Sequence, residues 1–176
     1  IPALSMRECV QEAMLLAGAA TARYAMEHGL SLPYVSQSAP DPRLRAEILM
    51  GDPWRELSLS EMYALRRLQR PSHVGVQPGG HAGLGLPAYT RVTSPLRRYL
   101  DLVAHQQLRL HLRGEKPLDV QEILERVGTS DVAQGGLNQA ETLSERHWTL
   151  VNLLQHPEWQ GAGVLVEKKG LRGRFI

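Results

Sequence analysis

The sequence is poor in the residues that build disulfides and thiolate metal sites. Its 176 residues include one cysteine, Cys9, which excludes an internal disulfide and leaves no thiolate cluster for a metal. No run approaches the roughly 18 consecutive apolar residues of a membrane-spanning helix, so no membrane partner is expected. Because the start lacks the pattern of a signal peptide, a cytoplasmic location is expected by default.

Lysine is also scarce. Lys116, Lys168 and Lys169 are the only lysines among the 20 basic residues, and the others are arginines. The planar guanidinium of arginine suits two-point contacts with phosphate and stacks on bases, whereas lysine is a point charge. A gene rich in G and C produces the same bias, so the arginine content alone does not decide whether the partner is anionic.

Neither end reads as a natural terminus. The chain begins at Ile1 without methionine and stops at Ile176, inside a predicted strand. We therefore expect it to be part of a longer protein.

Its 43% hydrophobic and 22% charged residues are ordinary for a globular domain.

Helical signals dominate the pattern. Ser5 and Glu8 have the spacing of a capping box, and Gly29 is a natural stop for the helix that follows. Its predicted apolar face consists of Val10, Ala13, Met14 and Ala17. The other predicted elements are helices at 42–50, 58–70, 95–113, 120–127 and 137–155, a strand at 88–92 and a β-hairpin at 164–176.

Three of these predictions carry further detail. Gly135 and Gly136 are expected to separate the last two helices. The helix at 95–113 has a predicted buried stripe of Leu96, Tyr99, Leu100, Leu102 and Val103. The last helix is predicted to turn Trp148, Val151 and Leu154 inward.

The start of the helix at 95–113 is the most informative segment. With Thr93-Ser94 as N-cap and Pro95 at the first helical position, Arg97 and Arg98 fall in a first turn without an acid, where the helix dipole disfavours them. A bound phosphate would make these unfavourably placed positive charges part of an anion-binding site. Alternatively Asp101 neutralises the pair, and both hold if Asp101 orients one arginine while the other faces a ligand.

Residues 80–105 read GHAGLGLPAYTRVTSPLRRYLDLVAH. This segment resembles the signature of the ribonuclease II and ribonuclease R (RNB-type) catalytic domain, G-H-F-G-L-x-L-x-x-Y-x-H-F-T-S-P-I-R-R-Y-x-D-L-x-x-H. The resemblance extends to EAMLLA at 12–17 and APDPRL at 39–44, and weakens beyond residue 113. Ala82, Arg91 with Val92, and Ser36 depart from the family pattern, which leaves substrate preference open.

The resemblance implies a mixed α/β nuclease domain, of which this chain is a mainly α-helical part with a few short strands and a terminal β-hairpin. It assigns residues 1–157 to the C-terminal part of the catalytic domain and 161–176 to the start of a C-terminal OB-type RNA-binding barrel. The implied activity is processive 3′-to-5′ hydrolysis of single-stranded RNA to nucleoside 5′-monophosphates by a monomeric, cytoplasmic exoribonuclease.

The resemblance also implies roles for single residues. Arg97 is the expected catalytic residue, because it would clamp the phosphate at the scissile bond. Glu12, Tyr89, Ser94 and Arg98 are the expected RNA-binding residues. Each has a plainer alternative: a solvated glutamate, a core tyrosine, a helix cap and a counter-ion of Asp101.

The implied cofactor is Mg²⁺, held by an aspartate cluster upstream of this chain. No metal is expected on the chain itself, since its own aspartates are scattered and His81, His105 and His111 lack metal-ligand spacing. Two rival functions remain: a non-catalytic RNA-binding relative that keeps the phosphate clamp, and a purely structural helical domain in which Arg97 and Arg98 only pair with Asp101.

The expected division of labour can be tested on residues 1–176 alone. Without the metal-binding aspartates, this chain should show no Mg²⁺-dependent hydrolysis of a 3′-labelled RNA. The measurement is a time course of product length on a denaturing gel. Stepwise loss of single nucleotides from a clean preparation would contradict the assignment of the metal ligands to another part of the protein.

Overall fold

The computed structural model of the protein describes residues 5–49, 52, 56–169 and 172–175. In this part of the chain the architecture is mixed and mainly helical, which confirms the expected fold class. None of the helices described is long and apolar enough to cross a membrane. The elements follow in the order α1 (Met6–Glu27), β1 (Tyr34–Ser36), α2 (Pro42–Leu49), α3 (Leu59–Leu68), β2 (His73–Gly75), α4 (Tyr99–Leu112), α5 (Val120–Gln155), β3 (Leu165–Lys169) and β4 (Arg172–Phe175).

The chain divides into two compact units. The first consists of Ile1–Ser38 and Pro71–Ala133, and the second of Ala39–Arg70 and Gln134–Ile176. Strands β1 and β2 pair antiparallel in the first unit, and β3 and β4 pair antiparallel in the second. The expected division into a catalytic part, 1–157, and a barrel, 161–176, stays a prediction.

Both ends of α1 follow from local sequence, as predicted. Ser5 and Glu8 form a complete capping box, in which the Ser5 N–H donates to Glu8 Oε2 over 2.7 Å and the Glu8 N–H donates to Ser5 Oγ over 3.3 Å. The Ser5 N–H and the Ser5 hydroxyl, which donates to Glu8 Oε2 over 2.8 Å, lower the pKa of Glu8 because they stabilise its charged form. At the other end Gly29 adopts a positive φ of 63°, and the Leu30 N–H donates to the Ala25 carbonyl over 2.8 Å.

The buried face of α1 differs from the predicted one. Val10 and Met14 are exposed, and the buried residues are Gly18, Ala22 and Ala25 in the second half of the helix. Small side chains allow residues 88–92 to approach the helix backbone closely, so packing selects them over the larger apolar residues near the start. The predicted face was therefore wrong at Val10, Ala13 and Met14, whereas Ala17 packs against the core as predicted.

Residues 88–92 do not form the predicted strand. The segment makes one bridge to β1, between Tyr34 and Thr90, and the Val35 N–H donates to the Tyr89 carbonyl over 2.8 Å. The neighbouring Pro33 has no N–H to continue a ladder, and its carbonyl accepts the buried Thr90 hydroxyl over 2.8 Å. A side-chain bond thus replaces the next backbone pair.

Two apolar clusters form the core of the first unit. One cluster consists of Ala22, Ala25, Leu30, Leu32, Tyr34, Ala88, Val92 and Ala104, and the other of Val103, Ile123 and Val127.

A buried glutamine, Gln107, connects α4 to the surrounding loops. Its Nε2 donates to the carbonyls of Ser31 and Leu118, each over 2.9 Å, and its Oε1 accepts the Leu118 N–H over 2.7 Å.

The predicted stripe of α4 is only partly buried. Val103 is buried and Leu100 packs against the second cluster, whereas Tyr99 and Leu102 are about half exposed. Leu96 precedes the helix and is fully exposed. Periodicity therefore identified the helix but overestimated the width of its buried face.

Helix α5 runs unbroken through Gly135 and Gly136, so the prediction of two separate helices was wrong. Its first turn is capped by Asp119 and Glu122, each of which accepts the backbone N–H of the other, over 2.9 and 2.8 Å. Each internal glycine costs about 1 kcal/mol relative to alanine, which weakens a long helix without ending it. The expected inward orientation of Trp148 was also wrong, since the indole is 64% exposed.

The second unit confirms several local predictions. Asp41 accepts the Arg43 N–H over 2.8 Å at the start of α2, and Ser58 with Glu61 forms the capping box of α3. An ion pair of 2.6 Å joins Arg67 on α3 to Glu167 on β3. The β3–β4 hairpin agrees with the predicted one, while its glycine turn at 170 lies outside the described residues.

Gly18→Ala tests the close approach between α1 and residues 88–92. An added Cβ would collide with the Tyr89 ring and lie 2.5 Å from the Thr90 carbonyl oxygen. We expect a loss of about 1–3 kcal/mol in the free energy of unfolding, measured by urea denaturation. Gly128→Ala on α5 is the matched control, because its Cβ meets open space; it should gain up to about 1 kcal/mol. A Gly18→Ala variant at least as stable as the wild type would contradict the close approach.

Candidate functional site

Helix α4 begins later than predicted. Its first residue is Tyr99, and Arg98 is the N-cap residue, with extended backbone (φ −122°, ψ 115°) and no side-chain cap. Residues 95–97 form a turn that is closed by the N–H groups of Arg97 and Arg98, which donate to the Ser94 carbonyl over 3.2 and 3.0 Å. The predicted N-cap at Thr93-Ser94 was therefore wrong, and neither arginine lies inside the helix.

The reason for the shift is the carboxylate of Asp101. It lies in the first turn of α4 and is fully buried. Its Oδ2 accepts the Ser94 N–H over 2.9 Å and holds that residue outside the helix. The premise that the first turn lacks an acid was wrong as well, because the later start places Asp101 in it.

Asp101 also fixes Arg98. The same Oδ2 accepts Arg98 Nε over 3.0 Å and Nη2 over 2.7 Å, while Nη2 makes a further contact of 3.3 Å with the Thr93 hydroxyl. The Arg98 side chain is 30% exposed. Asp101 Oδ1 is buried and has no hydrogen-bond partner within the described residues.

Arg97 stands in a different environment from its neighbour. It is exposed at the end of the turn, beside the fully exposed Leu96, and the described part of the chain offers its guanidinium neither a hydrogen bond nor an ion pair. Of the alternatives open from the sequence, the structure favours the combined one. Asp101 orients Arg98, and Arg97 remains available to an anion.

Two further contacts hold the flanks of the turn. On one side His105 Nε2 lies 2.7 Å from the carbonyl of the buried Val92. On the other, Arg126 Nη1 on α5 donates to the Tyr99 hydroxyl over 2.9 Å. The turn is thereby attached to both α4 and α5. Neither contact was predicted, because the two partners lie 13 and 27 residues apart along the chain and form no local sequence pattern.

The other predicted RNA-binding residues lie on separate elements. Tyr89 is half-buried, with its ring against Gly18 of α1 and edge-on to His81 at 6.0 Å between centroids. Glu12 is exposed on α1. Among the described residues, no hydrogen bond or ion pair joins Glu12 or Tyr89 to Ser94–Arg98. Their roles stay predictions.

His81 sits in the glycine-rich loop before this segment. Its N–H donates to the Leu86 carbonyl over 2.8 Å, and its Nδ1 is buried without a partner among the described residues. Burial lowers the pKa of His81, because it disfavours the charged form of the ring. Nearby, Gln37 accepts the Gly83 N–H over 2.8 Å and holds the loop in place.

Residues 3–114, which include every candidate residue, match the RNB domain family. The chain belongs to this family. It is 39% identical to an uncharacterized ribonuclease of Synechocystis over 88% of its length, and 34% identical to the chloroplastic/mitochondrial ribonuclease II of Arabidopsis thaliana over 63%. It spans only 23% and 13% of those proteins.

The fold agrees with that of solved RNB nucleases. Ribonuclease R of Mycoplasma genitalium, in complex with ribose-methylated single-stranded RNA, superposes with a TM-score of 0.74. The match covers 96% of this chain and 32% of that protein, at 18% identity. The resemblance read from the T-S-P-L-R-R-Y run is thus confirmed at the level of family and fold.

Metal ligands do not converge in this part of the RNB domain. The described residues contain no group of three histidine, cysteine, aspartate or glutamate side chains that could hold an ion. His105 contacts the Val92 carbonyl, and His111 lies edge-on to Tyr24 and His28 at 5.8 and 5.3 Å between centroids.

Replacing each of the two neighbouring arginines of the RNB motif should have sharply different effects on the stability of the protein. Arg98→Ala removes the counter-ion of a buried carboxylate, which costs about 3 kcal/mol in the free energy of unfolding; the lower end of the range applies because Arg98 is 30% exposed. Arg97→Ala removes an exposed guanidinium and should stay within about 0.5 kcal/mol. Urea denaturation of both variants checks this. Equal losses would show that Arg97 has a structural partner.

Proposed function

We propose that the whole protein is an exoribonuclease that degrades single-stranded RNA processively from the 3′ end to nucleoside 5′-monophosphates. This chain would supply the phosphate-clamping arginine and part of the RNA channel. Membership of the RNB family, relatives named ribonucleases and a neighbour solved with RNA support the proposal. The observation that carries it is the contrast between Arg98, bound to Asp101, and Arg97, exposed and uncommitted on the same turn.

In this proposal Arg97 acts on the charge that develops at the attacked phosphate. A guanidinium offers parallel N–H donors to two phosphate oxygens, and an interaction that strengthens in the transition state accelerates the chemical step. The turn at 95–97, closed onto Ser94 and flanked by α4, limits how far the group moves. Positioning of this kind reduces the reorganisation needed during reaction.

The remaining candidates take supporting roles. Arg98 would hold the turn rather than the RNA, since Asp101 occupies its Nε and Nη2. Ser94 would reach RNA only through its hydroxyl, because Asp101 accepts its N–H. Tyr89 and Glu12 would contact bases or riboses near the strand end. We further propose that the enzyme is monomeric and cytoplasmic.

Magnesium is the cofactor that the family implies, and the residues of this chain do not fit it. Asp101 is committed to Arg98 and Ser94, and the described residues present no cluster of three acidic or imidazole ligands. We propose that aspartates in another part of the protein hold the metal.

Arg97→Ala in the whole protein tests the catalytic assignment. The single-turnover cleavage rate of a short 3′-labelled RNA should fall by about 10²- to 10³-fold, as for the loss of one transition-state donor. The Kd, measured in Ca²⁺ or without metal, should change little because binding is spread over many phosphates. Arg97→Lys should restore little activity, since a point charge lacks the forked contact.

Arg109→Ala is the matched control, because it removes an exposed arginine farther along α4. It should cleave at the wild-type rate. If Arg97→Ala cleaves normally and only binds less tightly, Arg97 positions RNA and is not catalytic. If the whole wild-type protein binds RNA without cleaving it, the non-catalytic RNA-binding function replaces the proposed one.

A further inference from the structure

Asp101 combines full burial with an uneven distribution of hydrogen bonds. Three donors converge on Oδ2: the Ser94 N–H at 2.9 Å, Arg98 Nε at 3.0 Å and Arg98 Nη2 at 2.7 Å. Oδ1 receives none from the described residues. A buried carboxylate is costly to desolvate, and among the described residues Ser94 and Arg98 supply all the hydrogen bonds that compensate this cost at Asp101.

We propose that Asp101 is a positioning residue of the reaction that acts through Arg97. It anchors both ends of the Ser94–Arg98 turn at one oxygen atom and cancels the charge of Arg98. Arg97 is then the one guanidinium of the pair that meets the phosphate. This inference rests on the proposed function and adds to it the group that orients the clamp.

Apart from the flanking contacts of His105 and Arg126, the turn has little else to hold it. Leu96 is fully exposed and Arg97 is exposed, so no side chain at the tip is packed against the core. Within the turn, order comes from the two bonds to the Ser94 carbonyl and from the fixed φ of Pro95. Asp101 is the contact that joins these residues to a buried point of α4, through Ser94 at one end and Arg98 at the other.

The charges of the two arginines give a second reason to assign a positioning role to Asp101. Two adjacent guanidinium groups repel each other and would compete for one phosphate. Because Asp101 binds Arg98 through two nitrogen atoms on the side chain, Arg98 is neutralised and turned away from this competition. Arg97 keeps its full charge at the surface.

The geometry makes asparagine an informative replacement. Since one oxygen accepts all three donors, the single carbonyl oxygen of Asp101→Asn can occupy that place, with its NH₂ group at the position of Oδ1. This variant removes the negative charge while keeping the shape. Asp101→Ala removes both. Asp131→Asn, on an exposed part of α5, is the matched control and should behave as wild type.

The test is a double-mutant cycle in the whole protein. The single-turnover cleavage rate and the Kd are measured for the wild type, for Arg97→Ala, Asp101→Asn and Asp101→Ala, and for the two double variants that combine Arg97→Ala with each Asp101 change. We expect Asp101→Asn to lower the rate about tenfold and Asp101→Ala up to about 100-fold, as for a misplaced catalytic group. The Kd should change less than the rate. In the Arg97→Ala background neither change should lower the rate further.

Losses that multiply with that of Arg97→Ala would overturn the inference, because Asp101 would then act independently of Arg97. A wild-type rate in Asp101→Asn would overturn it too, and this variant decides the matter if thermal unfolding shows that Asp101→Ala is not folded. If Arg97→Ala itself cleaves normally, the proposed function fails and the inference with it. If Arg97→Ala is impaired but Asp101→Asn is not, only the inference fails.

Discussion

The buried carboxylate of Asp101 is the interaction on which the candidate site depends. Its bond to the Ser94 N–H spans seven residues, which an unbroken helix would separate by about 10 Å, so the chain cannot be helical from Pro95 onward while that bond is made. Its bonds to Arg98 hold the residue at which α4 begins. The side chain of Arg97 is left on a short exposed turn. One buried charge therefore decides where the helix starts, which arginine is structural and which is available for an anion.

That arrangement needs a stable base, which the first unit provides through close backbone packing. Gly18 of α1 lies against Tyr89 and Thr90, and residues 88–92 lead directly into the turn. Val92 is anchored by His105, and Tyr99 by Arg126. Polar contacts from α4 and α5 thus fix both flanks of the turn, while its tip is left in solvent.

The RNB family assignment gives this geometry a chemical context. Processive digestion requires a site that grips every phosphate in the same way, irrespective of base, and a forked guanidinium meets that requirement. Among the described residues no acidic cluster that could hold a metal is present, and Asp101 is bound to Arg98. In the proposed enzyme, phosphate clamping and metal binding would therefore be supplied by different parts of the protein.

Local sequence determined the features that depend on neighbouring residues. The capping boxes at Ser5 and Ser58, the stop at Gly29 and the β3–β4 hairpin arise from bonds or turns a few residues apart, so their patterns predicted them. The RNB motif likewise identified the family, because the run around Arg97 is specific in its order.

Tertiary structure decided the rest. Helix α4 starts at Tyr99 because the buried carboxylate of Asp101 takes its donors from Ser94 and Arg98, a contact that an unbroken helix from residue 95 would not allow. The exposed Val10 and the single bridge at Thr90 likewise follow from which surfaces meet. Periodicity records which residues are apolar, whereas contact between distant segments determines which of them are buried.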